Sequence, residues 1–116
     1  MSHDEFKERR RHVRVELAAV ARVNWGDVTE TYHTSNISAG GVFLLADSLP
    51  EAEHEIELDL FLPQVHAPVR AKGEVVWFRR QEPSGFAVKF TKISQAAAEL
   101  IRLIVQRHGR SISEQT

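Results

Sequence analysis

From Glu55 to Leu62 apolar and acidic residues alternate: Ile56, Leu58, Leu60 and Leu62 share one parity, Glu55, Glu57 and Asp59 the other. A period of two belongs to an extended strand with one buried and one wetted side, and a helix cannot satisfy it. The same period runs earlier through Val13, Val15, Leu17, Ala19, Ala21 and Val23, with Arg14, Glu16 and Arg22 between them. It returns in Ala71, Gly73, Val75 and Trp77. A chain with several such segments must form a one-sided sheet that closes on itself or on another layer.

Turn chemistry divides these strands. Asn24-Trp25-Gly26-Asp27 is a turn signal, and Thr- and Tyr-rich Val28 to Ser35 reads as a second strand. Asn36 to Gly41 follows as a turn, then Val42 to Leu45 as a short apolar strand. Residues 46–54 form an acidic loop, and Pro63 and Pro68 bracket another. Val69 to Phe78 is a strand, Gln81 to Ser84 a turn, and Gly85 to Phe90 the last strand. The period then changes. Ile93, Ala97, Leu100, Ile101, Ile104 and Val105 follow helical spacing, with Ser94 as N-cap and Gly109 as the expected stop. The reading is an antiparallel barrel capped by a helix. Residues 1–12 are expected as a flexible arginine-rich arm, 13–109 as the barrel and helix, and 110–116 as a disordered tail.

With 116 residues there is room for one domain and one core. The lack of cysteine excludes disulfides, thiolate metal sites and cysteine catalysis. The histidines are scattered without zinc-ligand spacing, so no metal is expected. No nucleophile–base pairing or phosphate loop is present, and an enzyme is not expected. A formal net charge of −1 disfavours DNA or RNA, and no apolar run could cross a bilayer. The charged first residues do not read as a signal peptide, and a cytoplasmic location is expected.

Positive charge is local instead. Arg9, Arg10, Arg11 and Arg14 cluster near the start, with Arg10 and Arg14 four residues apart on one side of the segment. Guanidinium groups present planar donor forks that fit phosphate oxygens and the O6/N7 edge of guanine. The stretch Asn36-Ile37-Ser38-Ala39-Gly40-Gly41 offers a small hydroxyl and glycines where backbone N–H groups can approach a ligand. Each element has a plainer reading: the arginines as a solvated charge cluster, the Asn–Gly stretch as a hairpin turn. Together they suggest a site for a small, anionic, guanine-containing ligand. Trp77 and Phe86 read as core packing rather than base platforms, and Glu55, Glu57 and Asp59 as a solubilising outer face.

The chain resembles the PilZ domain family, bacterial receptors for the second messenger cyclic di-GMP. The resemblance rests on Arg10…Arg14 for the family's Arg-x-x-x-Arg signature and on Asn36-x-Ser38-x-x-Gly41 for its (Asp/Asn)-x-Ser-x-x-Gly signature. Gly73-Glu74-Val75-Val76-Trp77 and Gly85 to Phe90 resemble the family's later strands. It implies a six-stranded antiparallel β-barrel with a C-terminal helix and a ligand on the outer wall, embraced by the arm. Arg10 and Arg14 would bind phosphate and guanine, Asn36 and Ser38 a guanine edge or phosphate, and Gly40 and Gly41 would form the turn. Arg9, next to the motif, implies two stacked ligand molecules. Also implied are an effector protein as partner, with motility among the family's outputs, and a monomer or homodimer. The alternative is a ligand-independent PilZ-like adaptor for protein interaction.

Overall fold

The structure, a computed structural model, describes residues 19–49 and 55–115, with side chains described to residue 107. Six strands follow in order: β1 (Val20–Asn24), β2 (Thr29–Ser38), β3 (Gly41–Leu45), β4 (Glu55–Phe61), β5 (Val69–Arg79) and β6 (Gly85–Ile93). One helix, α1 (Gln95–Gln115), completes the described chain. Every pairing is antiparallel, and the strands close as β1-β2-β3-β6-β5-β4 with β4 returning to β1. Among the described residues, closure gives every strand a neighbour on both sides, so no strand stands at the rim of an open sheet.

The alternation in the sequence becomes the inside and outside of this wall. Ile56, Leu58 and Leu60 of β4 are buried, as are Ala21 and Val23 of β1 and Ala71 and Val75 of β5. With Ile37, Leu44, Phe86 and Val88 they form one continuous core. Each large side chain buried there contributes about 1.5–3 kcal/mol relative to exposure. The acidic parity of β4 faces out, as expected, and pairs across strands: Asp59 with Arg22 and Arg70, Glu57 with Lys72.

The helix begins at the expected cap, where the Ala97 N–H donates to Ser94 Oγ at 3.0 Å. It lies against β2 and delivers Ile101 and Val105 into the strand core. It does not stop at Gly109. The backbone stays helical to Gln115, through most of the segment expected as a disordered tail. Glycine inside a helix costs about 1 kcal/mol relative to alanine but ends one only by turning left-handed. The arm at residues 1–12, the strand expected from Val13 to Leu17 and the second half of the acidic loop lie outside the described residues.

Candidate functional site

The second strand does not end at Ser35. It continues through Asn36, Ile37 and Ser38, and the turn is reduced to Ala39 and Gly40. The sequence placed a turn here because Asn, Ser and Gly favour turns. In the structure these residues instead pair with β3, Asn36 opposite Phe43, Ile37 opposite Val42 and Ser38 opposite Gly41.

A β-bulge makes this possible. Thr34 pairs with Leu44 and Asn36 with Phe43, so Ser35 is an extra residue with no partner of its own. In a regular strand Thr34 and Asn36 would share a face, because side chains repeat every second position. Thr34 is buried toward Leu44, and Ile37 is buried in the core. The bulge therefore moves Asn36 and Ser38 to the outer side of the wall while Thr34 and Ile37 both stay inside.

A second bulge does the same on β5. Val75 pairs with Val88 and Trp77 with Ala87, leaving Val76 as the extra residue. Val75 is inside at 1% exposure and Trp77 is 45% exposed. The expectation that Trp77 packs in the core fails here, because the bulge reverses the parity on which it rested. Phe86, by contrast, is fully buried, as expected.

The two displaced segments meet in one row. Register runs from Asn36 to Phe43, from Phe43 to Ala87, and from Ala87 to Trp77, across β2, β3, β6 and β5. Opposed residues of an antiparallel pair share a face, so all four side chains belong to the outer wall. Phe43 is buried but stands outside the core cluster. Its ring lies 5.4 Å from that of Trp77 at a tilt of 48°. The next row along the barrel runs Ser38, Gly41, Lys89, Glu74. Together they form an outer wall with amide, aromatic, ammonium and carboxylate groups, and the Ser38 hydroxyl buried beside them.

Two glycine positions shape it. A Cβ on Gly41 would lie 2.3 Å from the Val88 carbonyl oxygen, so β3 and β6 approach as closely as they do only with glycine there. Gly41 thus acts in β3, by close approach, and not at the tip of the turn as expected. Gly40 occupies the turn. Its N–H donates to Ser38 Oγ at 3.1 Å, and its carbonyl accepts from the Phe90 N–H at 2.9 Å. Ser38, at 3% exposure, is accordingly a fixed part of the bend.

Of the site residues expected from the sequence, Asn36, Ser38, Gly40 and Gly41 come together at this β2–β3 hairpin. Arg9, Arg10 and Arg14 lie outside the described residues. Sequence reasoning missed Trp77 and Lys89. The signal for Trp77 was the unbroken apolar run Val75-Val76-Trp77-Phe78, where strict alternation cannot hold. Among the described residues, no group of acidic and histidine side chains could hold a metal ion.

The profile of the PilZ domain family matches residues 8–107. No curated protein is similar enough in sequence to match. Among solved structures, the Bacillus subtilis inhibitor of motility MotI/DgrA is similar with a TM-score of 0.76 and 17% identity, over 90% of this chain and 52% of that one. Escherichia coli YcgR in complex with cyclic di-GMP is similar with a TM-score of 0.71 and 16% identity, over 92% and 49%. The separate PilZ domain of YcgR with cyclic di-GMP gives a TM-score of 0.67 and 12% identity, over 92% and 96%. The chain thus spans about half the length of the first two and nearly all of the third. At these identities the likeness is one of fold.

Proposed function

The chain belongs to the PilZ domain family, and from that premise we propose that it is a non-enzymatic receptor for cyclic di-GMP that signals to a partner protein. The observation that carries the reading is the outer row containing Asn36 and Trp77, next to the Ser38–Gly41 bend. Structures similar in fold are described with cyclic di-GMP bound.

The residues present suit such a ligand. Cyclic di-GMP brings two phosphates and two guanines. Arg10 and Arg14 supply charge-assisted, bidentate donors for phosphate or for the guanine O6/N7 edge. Asn36 can accept from and donate to a guanine edge, and the hairpin at Ser38–Gly40 keeps it in place. Trp77 offers an exposed indole face against which a purine can lie, supported by Phe43 behind it. Gly41 lets β3 draw close to β6 and so sets the shape of the wall beside Ser38. Arg9 adds a further cation, in keeping with two stacked ligand molecules.

Ligand binding orders residues 1–12 against the barrel. Several arginines in a polar segment repel one another, and a doubly charged ligand offsets that repulsion. The change of surface is what a partner reads. The inhibitor of motility MotI is similar in fold, and control of motility is the output class we favour, in the cytoplasm. Isothermal titration calorimetry with cyclic di-GMP on the wild type and on Arg10→Ala and Arg14→Ala tests the reading. Binding lost in both variants supports it, and no heat from the wild type sinks it in favour of a ligand-independent adaptor.

A further inference from the structure

We propose a second binding site on this barrel, a basic-rimmed cleft that takes an acidic, extended segment of a partner protein. It has a volume of about 620 Å³ and lies on the β1–β4–β5 side of the wall, reaching β6 at Lys92. Its location is distinct from the β2–β3 hairpin that carries Asn36 and Ser38.

The outer-face charges of this sector form a cross-strand ladder. Arg22 on β1 pairs with Asp59 on β4 at 3.4 Å, and Arg70 on β5 holds the other oxygen of Asp59 at 3.2 Å. In the neighbouring row Glu57 on β4 meets Lys72 on β5 at 4.0 Å. Each of these neighbours alternates in sign. The pattern breaks at the next step, where Lys72 stands directly opposite Lys92 on β6. Like charges opposed across a sheet are destabilising. Lys92 makes no ion pair among the described residues, and both lysines line the cleft. The first turn of α1 opens beside them at Ser94 and carries no acidic side chain to lower the potential.

The unmatched positive charge at this end would be offset by carboxylates from outside. The shape indicates how they arrive. From β1 to β6 the ladder crosses three strand intervals, about 14 Å at the usual spacing, which is the reach of roughly four extended residues. That length suits a peptide segment better than a single ion. The charge pattern also selects against nucleic acid. Repeating phosphates laid along the cleft would meet Glu57 and Asp59 in its middle, whereas a protein segment can place carboxylates at Lys72 and Lys92 and neutral or basic groups elsewhere.

The test is amide NMR titration of the full chain at low salt with an acetylated hexaglutamate peptide, beside an oligothymidylate of similar length. The expected result is that the peptide moves the amides of residues 70–72 and 92–94. Lys72→Glu with Lys92→Glu should weaken that response about ten-fold or more, and Lys92→Gln alone about three-fold, in the range of exposed charge pairs. Should the double reversal not fold, the single Lys92→Gln variant decides. Cyclic di-GMP affinity should be unchanged in all variants. No shifts in the cleft, shifts confined to residues 5–14, an equal response in the variants, or a stronger cleft response to oligothymidylate would each overturn the proposal.

Discussion

Asn36 and Trp77 stand in one row across the outside of the barrel, joined through Phe43 and Ala87. Neither would face outward with its sequence parity alone. Each follows a bulge, at Ser35 in β2 and at Val76 in β5, that admits one extra residue and reverses the alternation. Bulges re-aim side chains without disturbing the core on either side of them, and here two of them converge on one surface.

The exposure of Trp77 can be read by fluorescence. The chain has two tryptophans. Trp25 donates its indole N–H to the Tyr32 hydroxyl at 3.1 Å and lies 5.8 Å from the Phe86 ring at a tilt of 54°, while Trp77 is 45% exposed. Acrylamide should quench emission from Trp25→Phe strongly and from Trp77→Phe weakly. Cyclic di-GMP should change the emission of the first variant and leave that of the second unaltered. The reverse order of quenching would return Trp77 to the core.

Gly41→Ala tests the close approach of β3 to β6. Its Cβ would meet the Val88 carbonyl at 2.3 Å, so the strands must separate. Overpacking of this kind costs about 1–3 kcal/mol. Urea denaturation should show that loss, with a melting temperature lower by roughly 4–8 °C per kcal/mol. Unchanged stability would contradict the close approach of the two strands.

Tyr32 gives a pH signature that can be assigned without mutation, since the chain has one tyrosine. Burial, and then the hydrogen bond that its hydroxyl donates to Glu30 at 2.7 Å, push its pKa up to about 12; the bond from Trp25 acts in the opposite direction. Its folded pKa lies above the unfolded value of 10.0, so the unfolded chain loses this proton first. The stabilisation is complete below pH 10 and is lost as pH rises from about 10 to about 12. Ultraviolet titration of the native protein should show late phenolate formation, and Glu30→Gln should bring it earlier. Tyr32→Phe should remove this tyrosine's part of the alkaline fall in stability.

Asn36→Asp asks what the amide contributes. An aspartate would accept from guanine N–H groups with full charge, and charge-assisted bonds exceed neutral ones by about 1 kcal/mol. Calorimetry should show cyclic di-GMP binding about five-fold tighter. Weaker binding would place a phosphate, not a guanine edge, at this residue.

Most of the barrel was legible in the sequence, because one-sided burial writes itself as a period of two. Ile56, Leu58 and Leu60 are the plainest instance. The helix start at Ser94 was equally legible through its cap. What escaped were the places where a local rule met a tertiary demand. Asn36 to Ser38 have turn chemistry, yet pairing with β3 holds them in a strand. Trp77 obeys the alternation of β5 until the extra residue Val76 reverses it, and nothing in the spacing alone says which residue of an apolar run will be the extra one. Gly109 resembled a stop, yet the helix continues past it. The Asn36-x-Ser38-x-x-Gly41 stretch spans the β2–β3 hairpin, and Trp77 and Lys89, which share its outer rows, come from other strands that no local spacing could connect to it.

Ordering of the arm has its own readout. Hydrogen exchange at residues 5–14 should slow on adding cyclic di-GMP and stay fast in Arg14→Ala. Equal protection with and without ligand would contradict an arm-closing switch.

The receptor assignment stands most directly on calorimetry of the purified chain with cyclic di-GMP, wild type beside Arg10→Ala and Arg14→Ala. Saturable binding is expected, at one or two ligands per chain, abolished or weakened at least about 100-fold when either arginine is removed, as loss of a bidentate charged contact implies. A wild type that takes up no ligand, or variants that bind as well as it does, would contradict it.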